Sequence, residues 1–303
     1  MPAVSIILPN YNHAKFLEDR IESILNQTNQ DFELIILDDA SSDASPSILK
    51  SYENHPKVKA LILNEKNSGS TFVQWKKGLE LAIGKYIWIA ESDDLAAPEF
   101  LEYHLSNLLA DPKLGVSFSA SVWIDANGNQ IHEPGHENDF QSKGSDLLKN
   151  DFIKGNLIYN ASSCVFQKSL VPWNTLSSVV KYKYCGDWLF WVDLVKDTEV
   201  KRSNKRLNSF RRHSNNVSFE AESKGLQFSE GLKVVKHIFD TQTFGFLEKQ
   251  KLIFYWVQKL RNSKIKDKKQ FLALIPFPGS VFYTLSPLVN FFLPSTLASP
   301  VSK

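Results

Sequence analysis

Four short apolar runs punctuate the first part of the chain: Val4–Leu8, Phe32–Leu37, Val58–Leu63 and Tyr86–Ala90. Mostly apolar on successive residues, each reads as a strand covered on both faces. Between them the pattern changes period. Phe16, Leu17, Ile21, Ile24 and Leu25 recur at helical spacing, predicting a helix over Lys15–Asn26. Ser45-Pro46 opens a second helix near Ile48–Tyr52, because proline suits a first helical turn. Ser70–Ala82 forms a third, with Gly84 as its stop signal. Strand–helix–strand repetition with short links predicts an α/β fold whose strands are parallel and joined by right-handed crossovers. Ligands of such sheets bind beyond the carboxyl ends of the strands.

Further along the rhythm loosens. Pro98–Ala110 reads as a helix, Val116–Ala120 and Val122–Asp125 as short strands, and Asn127-Gly128 as a hairpin turn before Gln130-Ile131. Residues 132–150 are polar and are expected to form an irregular loop. Ser162–Phe166 is a strand candidate, and Gly186–Asp197 an apolar helix. Near the end, Lys259, Arg261, Lys264, Lys266, Lys268 and Lys269 crowd one stretch, and no charged residue follows from Gln270 through Ser302. Prolines interrupt that tail, at 276, 278, 287 and 294 among others. A straight membrane span is therefore not expected. A basic patch before an uncharged, Phe- and Leu-rich segment instead fits contact with an anionic leaflet.

Composition narrows the chemistry. The chain has 303 residues and a formal net charge of +2, which argues against a general nucleic-acid binder. Cys164 and Cys185 form no CxxC pair, so neither a disulfide scaffold nor a cysteine zinc site is expected. Met1–Pro9 lacks a basic leader and a long apolar core, and a cytoplasmic enzyme is the expectation. The candidate strands end in polar clusters: Pro9-Asn10-Tyr11-Asn12, Asp38 through Asp43, and Glu91-Ser92-Asp93-Asp94. One carboxylate after a strand ordinarily caps a helix, as expected for Asp43. Two crowded sets at neighbouring strand ends repel unless a cation or donors compensate. Oxygen ligands favour Mg²⁺ or Mn²⁺. No GxxxxGK[ST] segment is present, so phosphate charge must fall to such an ion.

These motifs, taken in order, resemble the family-2 glycosyltransferases of the GT-A fold, in the inverting, bacterial cell-surface polysaccharide type. The resemblance runs from Val4–Asn12 and Ser23–Thr28 through Leu37–Asp43, Gly84–Ile87 with Glu91–Asp94, and Gly186–Trp191 to Phe210–His213 with Ser218. It implies a GT-A (Rossmann-like), mostly parallel central sheet flanked by helices, with a helical C-terminal extension. The implied division is a GT-A domain over 1–222, nucleotide-sugar-binding in 1–110 and acceptor and catalytic in 111–222. A helical, membrane-facing region follows over 223–303. The implied activity moves a sugar from a nucleotide-diphosphate donor, UDP-linked by expectation, to a hydroxyl of a glycan or lipid-linked acceptor. The enzyme would work at the inner face of the cell membrane.

The resemblance also implies roles. Pro9, Tyr11 and Asp39 would meet the nucleotide base and ribose, and Asp93 the ribose or sugar. Asp94, with Asp93 and His213, would hold the Mn²⁺ or Mg²⁺ that bridges the diphosphate. Asp187 would be the base that takes the acceptor's proton. Lys76, or its neighbour Lys77, would stand in for the basic residue of an A-R-N segment that is not recognisable here. Two departures from the family pattern are plain: Ala40 replaces the usual Gly, and Glu91 the first Asp of D-x-D-D. Two other classes remain in view. A nucleotidyltransferase would share the sheet, ion and nucleotide but carry a Gly-rich basic loop, which Asn10–Lys15 is not. A catalytically inactive glycan-binding relative would lack the carboxylates that are present.

Overall fold

A computed structural model describes residues 2–132, 138–213, 225–265 and 267–276. One sheet organises the chain. Its strands are β1 (Val4–Asn10), β2 (Phe32–Asp38), β3 (Val58–Leu63), β4 (Tyr86–Ile89), β5 (Leu95–Ala96), β6 (Leu114–Ile124), β7 (Gln130–His132), β8 (Phe140–Lys143), β9 (Cys164–Gln167) and β10 (Glu199–Arg211). The spatial order is β3-β2-β1-β4-β9-β6-β10-β5, with β7 on β6 and β8 on β10. The pairs β3–β2, β2–β1 and β1–β4 are parallel, while β9 runs antiparallel to both β4 and β6. Strand order therefore reverses between β1 and β4, which puts the switch point at the segments after Asn10 and after Ile89.

The early helices are α1 (Ala14–Leu25), α2 (Ser45–Ser51), α3 (Thr71–Leu81) and α4 (Phe100–Ala110). Later come α5 (Gly144–Leu147), α6 (Trp173–Val179), α7 (Gly186–Val195), α8 (Leu226–Ser229), α9 (Gly231–Thr241), α10 (Phe246–Asn262) and α11 (Lys269–Leu272). The sheet carries an apolar layer on each face. Leu17, Ile21, Phe100, Leu101 and Leu105 cover the residues of one parity, such as Val4, Ile6 and Leu8. Trp75, Leu79, Phe190 and Trp191 cover the other, including Ile7, Ile35 and Leu37. Each such side chain contributes about 1.5–3 kcal/mol on burial.

Several details depart from the sequence expectation. Pro9 does not stop β1: it pairs with Leu37, and the strand runs on to Asn10. β3 is an edge strand and only half-buried, because no strand among the described residues pairs beyond it. Gly84 is not the C-cap of α3, which is Ala82. Its lack of a Cβ is needed for another reason, since one would lie 2.5 Å from the Ser5 amide nitrogen. The two strands expected at 116–125 are one, β6. Within the expected loop at 132–150 lie β8, α5 and a π-helical turn, Leu148–Phe152, while 133–137 fall outside the described residues.

The helical character expected after residue 223 is seen in α9 and α10. α10 buries Leu252, Ile253, Trp256, Val257 and Leu260 against the core. Among the described residues no helix is long and apolar enough to cross a membrane. Most of the uncharged tail, from 277 onward, lies outside the described residues, as does Ser218.

Candidate active site

The segment after β2 is shaped by its own carboxylates. Asp38 accepts from the Asn10 amide (2.7 Å) and from Ser41 through both amide (2.9 Å) and hydroxyl (2.6 Å). Ala40 takes a left-handed conformation, φ +60°, so this alanine adopts the backbone a glycine would take freely. Asp43 serves two helices, accepting from the Ser45 amide at α2 and the Ala14 amide at α1, both at 2.9 Å. Asp39 is buried and well supplied with donors. Its Oδ1 receives Gln74 (2.7 Å), Asn64 (2.8 Å) and the Ser68 amide (3.0 Å), and its Oδ2 the Ser68 hydroxyl (2.7 Å). A nucleobase N–H would have to share Oδ2, the less crowded oxygen. Tyr11 stands at the rim, 48% exposed, with its ring open to stacking. Pro9 lies inside β1 and is buried. Of the two lysines on α3, Lys76 faces outward to Glu80, whereas Lys77 donates to Asn64 and so reaches the Asp39 network.

The turn after β4 gathers a second acidic set. Glu91 accepts the Trp75 indole N–H at 2.8 Å, and its own amide donates to Ser162. Burial and then the Asp93 charge push its carboxyl up to about 8. Asp93 and Asp94 point different ways. His213 Nε2 lies 3.1 Å from Asp93 Oδ2. Burial would raise the Asp93 carboxyl, but the His213 hydrogen bond and the neighbouring His13 and His213 hold it below the ordinary range. Asp94 is buried, taking the Asn160 amide at 2.9 Å and the Arg211 backbone N–H at 2.9 Å. Burial and the Asp93 charge raise it to about 6.

His13, Asp93 and His213 each offer one ligand atom, all within 4.8 Å of one another. A carboxylate and two imidazoles that converge so closely can hold a divalent cation. Asp94 is not part of that cluster, so the structure pairs Asp93 and His213 and adds His13, which the sequence did not single out. Two further side chains bear on this site. Arg211 spans the strand ends, donating from Nε to Asp93 O (2.7 Å) and from a terminal nitrogen to Asp125 O (2.9 Å). Arg20 is fully buried beneath the acidic turn, with its guanidinium 5.1 Å from the Trp88 ring. Burial lowers it to about 10, while Asp94, Asp93 and Glu91 oppose that shift.

Asp187 occupies the first turn of α7. It accepts from Asn156 Nδ2 at 2.7 Å and from the Trp188 amide at 2.8 Å. Burial raises it to about 7 against those donors, and Glu230 adds to the rise. Gly186 is required beside it, because a Cβ there would meet the Phe72 ring at 2.5 Å. The helix α3 therefore touches all three stations: Gln74 holds Asp39, Trp75 holds Glu91, and Phe72 packs on Gly186. Two tryptophans near these stations differ. Trp188 is buried, its indole donating to Phe152 O at 3.1 Å, whereas Trp123 is half-buried beneath the Arg212 guanidinium.

The family model Glycosyl transferase family 2 matches residues 5–171. The chain belongs to that family. A Methanocaldococcus jannaschii protein, the uncharacterized glycosyltransferase MJ1057, is 32% identical over 63% of this chain, a match spanning 64% of that protein, just under two thirds. An uncharacterized glycosyltransferase of Haemophilus influenzae is 30% identical over 89% of this chain and 99% of its own length. The Staphylococcus aureus poly(ribitol-phosphate) beta-N-acetylglucosaminyltransferase TarP is 27% identical over 88% and 82%. Among solved structures, S. aureus TarS 1–349 in complex with UDP-GlcNAc aligns with TM-score 0.70 at 18% identity, covering 95% of this chain and 86% of that one. The mannosyltransferase PcManGT from Pyrobaculum calidifontis, in complex with GDP-Man and Mn²⁺, aligns with TM-score 0.55 at 15% identity over 96% and 87%. The GT-A fold of this glycosyltransferase is thereby established; at such identities the solved structures speak to fold alone.

Proposed function

We propose that this glycosyltransferase moves a sugar from a UDP-sugar to a hydroxyl of a glycan or lipid-linked acceptor, with inversion, in polysaccharide or glycoconjugate synthesis. The observation that carries the reading is the position of α3, which links the Asp39 network to the carboxylate at the head of α7. The relative TarP, named as an N-acetylglucosaminyltransferase acting on poly(ribitol-phosphate), supports glycosyl transfer to a polymeric acceptor.

In this reading Tyr11 stacks on the base, and Asp39 with Pro9 frames the nucleoside. Asp187 takes the proton of the attacking hydroxyl as its oxygen bonds to the anomeric carbon. The bond from that carbon to the diphosphate breaks, and the nucleoside diphosphate leaves. A carboxylate poised near neutrality suits this role, since proton transfer is most effective when base and pH are matched. His13, Asp93 and His213 would hold the cation, and their mixed nitrogen and oxygen donors fit Mn²⁺ better than the oxygen-seeking Mg²⁺. When bound, the ion supplies positive charge where the diphosphate becomes more negative. Asp94, in this reading, acts through Asn160 and Arg211 rather than on the ion.

The deciding experiment screens nucleotide sugars for Mn²⁺-dependent release of nucleoside diphosphate, with D187N as control. Transfer should vanish in D187N while donor binding persists; near-normal turnover would remove Asp187 from the chemistry. Release of pyrophosphate instead would indicate nucleotidyl transfer. Contact with the inner membrane face belongs to the same reading, supported by the basic run 259–269 before a charge-free stretch. Equal partitioning onto anionic vesicles with and without residues 259–303 would exclude it.

A further inference from the structure

Glu230 stands at the junction of α8 and α9 and is almost completely buried. Its carboxylate receives three successive backbone amides: Lys183 at 2.9 Å on Oε1, and Tyr184 and Cys185 at 2.8 Å each on Oε2. Those residues form the turn that leads into Gly186 and Asp187. Amides before a helix start lack partners in the helix itself, and three consecutive ones make a concave anion site. A hydroxyl or a water would satisfy one of them. Here a distant side chain, brought in by the C-terminal helices, satisfies all three.

The neighbouring contacts tighten the same turn. Gly231 lies so close to Trp188 that a Cβ would sit 3.0 Å from the indole. Trp256 of α10 stacks on Trp188 at 6.2 Å, and Lys259 lies over Trp256 while donating to Lys154 O. The residue following Asp187 is thus boxed by α9 and α10. An ionised carboxylate so enclosed is costly unless fully hydrogen-bonded, and charge-assisted bonds to amides are the strong kind.

We propose that Glu230 is a positioning residue for Asp187, fixing the 183–185 turn so that the base is presented in one orientation and carries a negative neighbour. The α8–α9 junction then belongs to the active site although it lies beyond the family match at residue 171. This rests on Asp187 being the base. Of the charged and titratable groups here, Glu230 and Cys185 face Asp187, Tyr182 faces Glu230 and Cys185, and Lys259 of α10 faces Cys185; the Lys183 ammonium turns away to Gly69 O, and Asn156 and Trp188 are neutral donors to Asp187.

The test compares E230Q and E230D with wild type in kcat, donor KM, melting temperature and the acidic limb of the kcat–pH profile. In E230Q, kcat should fall at least about tenfold with donor KM within about twofold. Its acidic limb should move to lower pH by about half a unit, since a negative neighbour that opposed ionisation is gone. E230D, which keeps the charge on a shorter arm, should lose kcat with its limb at the wild-type position. If E230Q does not fold, E230D alone decides: a fall in kcat at unchanged donor KM supports the proposal, and wild-type kcat overturns it. An unmoved limb in folded E230Q also overturns it and leaves a structural cap. Turnover by D187N would instead strike the parent reading, so the two failures are separable.

Discussion

His213 Nε2 lies 3.1 Å from Asp93 Oδ2, a contact between the end of β10 and the turn after β4. It separates two carboxylates that adjoin in sequence. We expect D93N to weaken Mn²⁺ binding at least tenfold, about 1.4 kcal/mol. D94N should hold Mn²⁺ within about threefold of wild type, because its oxygens serve Asn160 and Arg211 rather than the cluster. Titration calorimetry with Mn²⁺ reads both. Loss of binding in D94N with retention in D93N would reverse the two assignments.

Asn156 offers a second handle on the base. Its amide favours the ionised form of Asp187, so N156A should move the acidic limb of kcat upward from about 7. The sign follows from the role: Asp187 works deprotonated, and a higher pKa removes that form from neutral solution. Turnover at pH 7 should therefore fall more than at pH 9. A pH-independent loss would mean that Asn156 acts only on substrate.

Ala40 predicts a gain rather than a loss. An L-residue in the left-handed region costs about 1–2 kcal/mol, and glycine's extra chain entropy returns part of that. A40G should be stabilised by roughly 0.5–1 kcal/mol in urea unfolding, with the slope unchanged. A destabilised A40G would show that the methyl group packs productively.

The α7–α9 contact has its own pH signature. His237 Nε2 lies 2.8 Å from Asp193 Oδ1; the hydrogen bond raises the imidazole's pKa, and against the upward push of burial it holds the carboxyl low. The raised histidine contributes stability in full below its unfolded value and loses it as pH rises through the folded one. The lowered carboxylate contributes above its unfolded value and loses it on acidification. The pair should therefore count most between about pH 4 and 6.5. Melting curves of wild type and H237Q should differ most there and converge toward pH 8. A constant difference across that range would reduce the pair to packing.

How much of this was readable depended on how local each signal is. β1, β2, β3 and β4 each hold three or four consecutive apolar residues, and α1 and α3 carry a clear stripe, so their positions could be read within a residue or two. β10 could not. Glu199-Val200-Lys201-Arg202-Ser203 reads as polar, and register shifts around Arg206 break any alternation; pairing with β6, β5 and β8 makes it a strand. The site divides the same way. Asp39, Asp93 and Asp187 stand in ordered motifs. His13, Arg20, Asn156 and Glu230 gain meaning only from partners far along the chain, and single residues of those types carry no pattern.

Finally, α3 fixes a length. Phe72, Trp75 and Gln74 are set on one rigid cylinder, and each grips a different part of the cleft. One inserted residue would swing those after it by about 100° and break at least one grip. Changes in cleft width between related enzymes should therefore be found as insertions in the connection before this helix, at Glu65-Lys66 and ahead of the Ser68 that holds Asp39, and not within its turns.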